Sequence, residues 1–284
     1  MIFDYFKKSF ARKKARRKFQ TYAHEIKSHI LEEEGKVEFA NWLNPLVFHP
    51  VPTQESVNLF RKFITPGSLC IDIGAYIGDT AVPMSLAGGR EGLTLAFEPN
   101  PHTYKILDIN VSLNKDKTNI KAFPFAVTET DGEFYFNSSD ASFANGGLSE
   151  NRKSEHGKFN LEEKVIGKSL EKFLKEKFEE WIPKLSLIKI DVEGHDKEIL
   201  KSISSLLVNY QPNIIAECNK RLTSEERAEL FDSLAVHGYQ LFYFRDFELE
   251  EKEERLYKDS MNKRKHFDFY AIHESKLSDI QNGL

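Results

Sequence analysis

The spacing of hydrophobic positions changes along this chain near residue 66. From there onward, short apolar runs alternate with amphipathic segments, which is typical of a parallel sheet with crossover helices. Before that point, the sequence predicts a charged helical stretch and then an aromatic, proline-containing one, and after Ile272 it becomes polar. We therefore predict a helical extension over residues 1–65, an α/β domain over residues 66–273 and a polar tail over residues 274–284.

The strands of the α/β domain are predicted from its apolar runs. The run Leu69–Ile73 is continuous except for Asp72, as expected for a strand that is covered on both faces. The predicted strands are Leu69–Ile73, Leu93–Phe97, Ile120–Val127, Leu185–Val192 and Asn213–Glu217, followed by an antiparallel pair at Tyr239–Phe244 and Phe267–Ile272. This pattern indicates a mostly parallel, seven-stranded sheet.

The segments between these strands predict helices and one long loop. A helix is expected after Thr223, where Glu226 completes a capping box. Glu133–Asn137 alternates and predicts a short antiparallel strand, whereas residues 138–168 are rich in serine, asparagine, glycine and charge and predict little regular structure. Because loops of this length in compact domains are usually functional or disordered, we expect residues 138–168 to form a lid over a binding site.

Composition and charge narrow the class of protein. With 284 residues, 40% of them hydrophobic, the chain can bury a sizeable core, and its net charge of -4 gives no indication of nucleic-acid binding. The cysteines, Cys70 and Cys218, lie in apolar runs and predict reduced core thiols. The apolar runs are too short to span a bilayer, and the N-terminus lacks the apolar core of a signal peptide, so we expect a cytoplasmic location.

Glycines and carboxylates follow the first strand of the domain, in the turn Asp72–Thr80. Gly74 and Gly78 permit a tight turn, but the dinucleotide fingerprint G-x-G-x-x-G is absent, and with it the glycine that admits a pyrophosphate. S-adenosylmethionine has no pyrophosphate, and its sulfonium and amino groups favour carboxylates such as Asp72 and Asp79. By itself, this pattern also fits a turn that binds nothing.

An acidic residue, Glu98, ends the second strand and is followed by Pro99 and Asn100. A carboxylate in this position can accept hydrogen bonds from both hydroxyls of an adenosine ribose. The alternative is a partner for the dipole of the next helix. The spacing from the glycine turn favours the ribose interpretation.

The fourth strand is followed by Asp191, Glu193 and His195, residues suited to acid–base chemistry. Histidine ordinarily titrates near pH ~6.5, so it can take a proton from a hydroxyl during methyl transfer, while Asp191 or Glu193 orients it, holds the acceptor or acts as the base. Alternatively, His195 or Asp196 caps the following helix, or Asp191 holds a divalent cation. Since the sequence shows no second carboxylate cluster, we predict no metal.

These motifs together resemble the FkbM-type methyltransferase family. The matching segments are Asp72–Thr80, Phe97–Pro101, Asn110–Asn114 and Ile188–His195, in the family's order over about residues 66–220. Tyr76 stands where the family more often has asparagine. The resemblance implies a Rossmann-like class I methyltransferase fold. S-adenosylmethionine would bind at Asp72–Thr80 and Phe97–Pro101, and the acceptor would bind near Ile188–His195. The implied cofactor-binding residues are Asp72, Gly74, Ala75, Tyr76, Gly78, Asp79, Thr80, Glu98, Pro99 and Asn100.

Since such enzymes mostly methylate hydroxyl oxygens, we expect an O-methyltransferase that acts on a small molecule or a glycan, most readily at a sugar hydroxyl. Two other functions remain open. An NAD- or nucleotide-sugar-dependent oxidoreductase is disfavoured by the absent G-x-G-x-x-G. A non-catalytic binding module on the same fold is disfavoured by the intact Asp72, Gly74, Glu98 and Asp191.

The N-terminus carries eight basic residues between Lys7 and Lys18. The residues Ile2, Phe3, Phe6 and Phe10 can line one face of a helix there. A basic amphipathic helix can lie on the anionic inner face of a membrane, which is one interpretation. The other is a solvated helix with no partner.

Overall fold

The computed structural model describes residues 2–152, 157–244 and 254–277, with side chains from Phe6 onward. In chain order, the elements are α1 (Ile2–Arg17), β1 (His24–Leu31), β2 (Gly35–Trp42), α2 (Gln54–Arg61), β3 (Leu69–Ile73), α3 (Ala81–Gly88), β4 (Leu93–Phe97), α4 (Pro101–Ser112), β5 (Ile120–Phe123), β6 (Ala126–Val127), β7 (Gly132–Ser138), β8 (Gly147–Ser149), β9 (Phe159–Asn160), β10 (Val165–Lys168), α5 (Leu170–Lys177), β11 (Leu185–Ile190), α6 (Asp196–Ser202), α7 (Ser204–Tyr210), β12 (Asn213–Cys218), α8 (Ser224–Ala235), β13 (Tyr239–Phe244), β14 (Arg255–Leu256) and β15 (Phe267–His273). Short 3-10 helices span Glu179–Lys184, Lys258–Asn262 and Glu274–Lys276. None of the helices in the described ranges has the length and apolar character needed to cross a bilayer.

The central sheet has eight strands in the order β14-β13-β15-β12-β11-β3-β4-β5. Strands β12, β11, β3, β4 and β5 run parallel, and β15 is antiparallel to both β12 and β13. The predicted α/β class, the Rossmann-like arrangement and the closing antiparallel pair are confirmed, and the short β14 adds an eighth strand at one edge. Strand order reverses between β3 and β11, so their carboxyl ends form the point where an open α/β sheet binds its ligand.

The sheet is buried on both faces, which explains its continuous apolar runs. In β3, Leu69, Ile71 and Ile73 pack into one core with residues of α5, α6 and α8, whereas Cys70 packs into a second core with residues of α2, α3 and α4. Both cysteines are buried and unpaired, as predicted.

A smaller sheet lies partly where a loop was predicted. Its strand β7 confirms the short antiparallel strand predicted at Glu133–Asn137, whereas β8, β9 and β10 lie within the predicted loop. It has the order β6-β10-β7-β8, with β9 also paired to β7. The prediction of little regular structure over residues 138–168 was therefore wrong, because strands of two to four residues contain too few positions to show an alternating pattern. Strand β6 was predicted as part of β5, but Pro124 separates the two and has no N–H with which to continue the ladder.

The N-terminal extension is only partly helical. Its predicted helical character holds for α1 and α2, but a β-hairpin of β1 and β2 lies between them, which the sequence did not predict. The predicted polar tail begins with the 3-10 helix Glu274–Lys276, and its residues from 278 onward lie outside the described residues. The side chains of Ile2 and Phe3, predicted on one helix face, also lie outside the description.

Two asparagine side chains, one in α4 and one just after its end, pair with the free edge of β2. The Asn110 amide accepts from the Ala40 N–H at 2.7 Å and donates to the Ala40 carbonyl at 3.0 Å, and Asn114 does the same for Glu38 at 2.8 Å each. The Asn110 amide also donates to the Ile77 carbonyl at 2.7 Å, in the turn after β3. The Asn110–Asn114 segment therefore joins the N-terminal extension to the turn Asp72–Thr80.

Candidate active site

A cavity of about 540 Å³ opens at the carboxyl ends of β3, β4 and β11, which is the size of a small-molecule site. Its walls come from the turns after these strands and from the small sheet. The sequence-predicted residues that line it are Gly74, Tyr76, Asp79, Thr80, Glu98, Pro99, Asn100, Asp191, Glu193 and His195. Asp72, Ala75 and Gly78 are buried in and beside the turn behind this lining.

The turn after β3 has three residues in the left-handed region, with φ of +78° at Gly74, +49° at Tyr76 and +94° at Gly78. A Cβ on Gly74 would lie 2.0 Å from the carbonyl oxygen of Asp191, so this glycine lets the ends of β3 and β11 approach each other. Tyr76 is therefore a bulky residue in a backbone conformation that few residues other than glycine and asparagine adopt.

Glu98 lies at the base of the cavity and is 6% exposed. Its carboxylate accepts the Tyr76 N–H at 2.9 Å and the Asn100 N–H at 2.8 Å, which fixes its orientation. Burial raises the pKa of Glu98 to about 7. Since a carboxylate has about four acceptor positions, these two N–H groups do not exhaust its capacity to accept hydrogen bonds. The bond to Asn100, the cap residue of α4, shows that Glu98 also stabilises that helix terminus.

Both polar atoms of the Asn100 side chain form hydrogen bonds with other residues of the protein. Its Oδ1 caps α4 by accepting the His102 N–H at 3.0 Å, and its Nδ2 donates to the Phe143 carbonyl at 2.9 Å. The loop that contains Phe143 is ordered by Asp140, whose Oδ1 accepts from the Ser142 N–H at 2.9 Å and the Ser142 hydroxyl at 2.6 Å. Asn100 therefore connects the cofactor end of the cavity to the predicted lid region.

A buried lysine, Lys189, bridges the carboxyl ends of β3 and β11, where the strand order reverses. Its ammonium lies 3.2 Å from the Asp72 carboxylate and 3.5 Å from that of Asp191, and it donates to the Gly74 carbonyl at 3.0 Å. Asp72 is 0% exposed and also accepts from the Thr80 hydroxyl at 2.6 Å. Asp72 and Asp79 were both expected to face the cationic groups of the cofactor. The structure pairs Asp72 with Lys189 and Thr80, whereas Asp79 lines the cavity.

Sequence reasoning assigned no role to Lys189. The signal that can find it is a lysine inside the otherwise apolar strand β11, since a buried ammonium is tolerated only beside carboxylates or other acceptors. The neighbouring carboxylates raise the pKa of Lys189 above its ordinary value and outweigh the effect of burial.

The cavity wall is strongly acidic. The carboxylates in its described lining are Asp79, Glu98, Glu129, Glu150, Asp191, Glu193 and Glu198, and Lys189 is the lysine among them. Burial raises the pKa of Asp79 to about 6, and burial and the charge of Asp191 raise the pKa of Glu193. Such a cavity favours cationic ligands and disfavours phosphate groups.

The turn after β11, which contains Asp191, Glu193 and His195, forms a further part of the cavity wall, next to the turn after β3. The chain turns sharply after β11, with φ of +58° at Glu193 and +106° at Gly194, and this places Asp191 and His195 on the exposed part of the wall. His195 precedes α6 but makes no side-chain capping bond there, and the Asp196 carboxylate accepts the Gly194 N–H at 3.2 Å. Within residues 2–152, 157–244 and 254–277, no three potential metal ligands are grouped to hold an ion.

Comparison with known proteins gives partial relatives and one family. A tRNA (guanine(37)-N(1))-methyltransferase of Saccharomyces cerevisiae is 36% identical over 69 residues, which are 24% of this chain and 13% of that protein. A tRNA(Phe) (4-demethylwyosine(37)-C(7)) aminocarboxypropyltransferase of Pyrococcus horikoshii is 30% identical over 100 residues, 35% of each chain. This chain therefore spans well under two thirds of either relative. The crystal structure of methyltransferase FkbM from Methylobacillus flagellatus KT covers 75% of this chain and 48% of its own, with a TM-score of 0.45 and 12% identity.

The profile of the methyltransferase FkbM domain matches residues 72–241. The match begins at Asp72, ends in β13, and includes all three motifs that line the cavity. It covers well over half of the chain. The protein therefore belongs to the methyltransferase FkbM family, which confirms the resemblance seen in its sequence and, with it, a methyltransferase domain that uses S-adenosylmethionine.

Proposed function

We propose that this protein transfers the methyl group of S-adenosylmethionine to a hydroxyl of a sugar or glycan. The observation that carries this proposal is that Glu98 and the turn Asp191–His195 line one and the same cavity. In our proposal Glu98 binds the adenosine ribose, and the turn supplies the proton acceptor. The acceptor oxygen forms a bond to the methyl carbon as the carbon–sulfur bond breaks. S-adenosylhomocysteine leaves, and the hydroxyl proton passes to the base.

Positioning supplies much of the rate in such a reaction. Holding two reactants in line contributes up to roughly 7–11 kcal/mol, so the walls of the cavity matter as much as the base. Asp79 is the carboxylate for the cationic part of the donor. Residues 144–150 also line the cavity, and we expect this part of the small sheet to contact the acceptor, in the role proposed for a lid.

The charge of the cavity supports a neutral acceptor. The two curated relatives are named as tRNA-modifying enzymes, but a phosphate-rich acceptor would have to approach a wall with seven carboxylates, which are Asp79, Glu98, Glu129, Glu150, Asp191, Glu193 and Glu198. An uncharged sugar hydroxyl avoids this repulsion, whereas the cationic donor benefits from it. We therefore favour a sugar over a nucleic acid.

The Glu98→Ala variant tests the placement of the donor. Removal of the carboxylate eliminates two hydrogen bonds to the ribose, and we expect S-adenosylmethionine to bind about 100-fold more weakly by isothermal titration calorimetry. Glu129→Ala removes an exposed carboxylate from the same lining and serves as the matched control, with affinity nearly unchanged. If Glu98→Ala binds the cofactor as tightly as the parent protein, the ribose lies elsewhere.

The affinity for S-adenosylmethionine is expected to depend on pH. The cationic donor favours the ionised forms of Glu98 and Asp79, whose pKa values are raised by burial to about 7 and about 6 in the unliganded protein. Binding is therefore strongest above pH about 7 and weakens as the pH falls through about 7 and then about 6. Calorimetry in buffers of different ionisation enthalpy should show proton release on binding in this window, and proton uptake would contradict the assignment.

The reaction itself is tested in two steps. A thermal-shift comparison should show stabilisation by S-adenosylmethionine and none by NAD. The protein is then incubated with methyl-labelled S-adenosylmethionine and either glycan fractions or tRNA. Label in a glycan fraction supports the proposal, label in tRNA assigns a different acceptor, and binding without transfer to either indicates a non-catalytic module.

A further inference from the structure

Helix α1 presents a basic and aromatic surface to solvent. Eight lysine and arginine residues lie between Lys7 and Lys18. Along the same helix, the side chains of Phe6 and Phe10 are 64% and 70% exposed. A single exposed phenylalanine is ordinary, but two that are four residues apart lie side by side on a helix and form a continuous apolar strip.

The strip faces away from the protein body. Ala15 is 0% exposed and marks the side of α1 that packs against the body, to which Arg12 also binds by donating to the Pro45 carbonyl at 3.1 Å. At about 100° per residue, Phe6 lies roughly 180° and Phe10 roughly 140° around the helix from Ala15. The same rotation places Lys13 and Arg17 beside the two rings.

From this arrangement we infer that α1 binds the surface of an anionic lipid bilayer. The phenylalanine rings enter the boundary between headgroups and acyl chains, and Lys13 and Arg17 contact the negatively charged headgroups around them. This is the geometry of an interfacial helix that lies in the plane of the membrane. The cations further along α1 add long-range attraction to the same surface.

Lipid fits this surface better than RNA does. RNA would pair its phosphates with the cations but would leave the phenylalanine strip in water, except where unpaired bases stack on it. An anionic bilayer offers negatively charged headgroups to the cations and an apolar layer to the phenylalanine rings.

The position of α1 places this surface near the site. The Arg16 carbonyl, at the end of the helix, accepts the Ala141 N–H at 3.2 Å, and just beyond it the ring of Phe19 lies 6.3 Å from that of Phe143. Phe143 is the residue whose carbonyl Asn100 binds. A bilayer on α1 therefore lies close to the loop that adjoins the cavity, although the inference itself does not depend on the reaction proposed above.

Vesicle flotation with the full chain tests the inference. The protein should float with vesicles of equimolar phosphatidylcholine and phosphatidylglycerol and remain unbound with phosphatidylcholine alone. The Lys13→Glu/Arg17→Glu variant should bind the anionic vesicles at least about 30-fold more weakly, because two attractive charges become repulsive. The Phe6→Ser/Phe10→Ser variant should bind about tenfold or more weakly, because the apolar strip is lost.

Arg90→Glu/Lys115→Glu is the matched control, since it makes the same change in net charge at two exposed residues. These residues precede the amino ends of β4 and β5, whereas the cavity lies at the carboxyl ends of the strands. Its vesicle binding should stay near that of the parent protein, and circular dichroism should show that all variants fold. An equal loss of vesicle binding in this control would show that net charge alone causes the effect, and it would overturn the inference. Tighter binding to tRNA than to the anionic vesicles, unaffected by Phe6→Ser/Phe10→Ser, would overturn it in favour of a nucleic-acid partner.

Discussion

Replacement of Lys189 by methionine is expected to lower the free energy of unfolding by about 3–5 kcal/mol, a large part of the roughly 5–15 kcal/mol typical of a domain. Methionine fills a similar volume, so the loss is electrostatic. The ammonium contacts the Asp72 carboxylate, which is 0% exposed and cannot be reached by water when its cation is removed. Urea unfolding followed by circular dichroism measures the effect.

The control is the same substitution at Lys197, which is 8% exposed and also binds carboxylates. Its partners differ in their burial, because the side chains of Glu226 and Glu229 are 37% and 49% exposed and can be hydrated when the lysine is lost. Lys197→Met should therefore cost no more than about 1 kcal/mol. An equally small loss in Lys189→Met would show that Asp72 does not depend on this ion pair.

A double variant separates charge from packing. Addition of Asp72→Asn to Lys189→Met removes the uncompensated carboxylate while leaving an amide oxygen to accept from the Thr80 hydroxyl. We expect this double variant to recover a substantial part of the lost stability. If it is instead less stable than Lys189→Met alone, the cost comes from the packing of the strand and not from a buried charge.

The sequence was sufficient for the central sheet because the information there is local. Strands buried on both faces give unbroken apolar runs, and the capping box of Thr223 and Glu226 is present at the start of α8 as predicted. The three motifs at strand ends were brought into one cavity because parallel strands place their carboxyl ends at the same edge.

What the sequence could not supply depends on contacts between distant residues. The edge of β2 is paired by Asn110 and Asn114, which are 70 and 76 residues away from their partners, and nothing in the pattern of the hairpin itself indicates these partners. The protein partners of Asp72 also depend on distant residues. A carboxylate at a strand end can face the ligand or the neighbouring strand, and the choice is made by Lys189, 117 residues later, as their numbers show.

The largest catalytic effect is expected from His195→Ala, with a fall in kcat of about 10²–10⁴-fold and little change in the affinity for S-adenosylmethionine. The reason is that His195 lines the cavity as part of the proposed acceptor segment, whereas the proposed donor contact is Glu98, and histidine is the commonest general base in enzymes. Single-turnover kinetics with saturating cofactor separate this loss from any change in binding. Partial rescue by added imidazole would identify the missing group as a proton acceptor.

Glu193→Gln is the competing test, because burial and the charge of Asp191 raise the pKa of Glu193 and make it a stronger base than an ordinary carboxylate. If His195 is the base, Glu193→Gln lowers kcat only modestly and leaves the pH dependence of kcat in place. If Glu193 is the base, the large fall in kcat and the loss of the acidic limb of the pH profile both appear in Glu193→Gln, while His195→Ala remains active. The kcat of Asp191→Asn is expected to lie between those of His195→Ala and Glu193→Gln. Asp191 contacts Lys189, so we expect it to act through the position of the turn rather than as a proton acceptor.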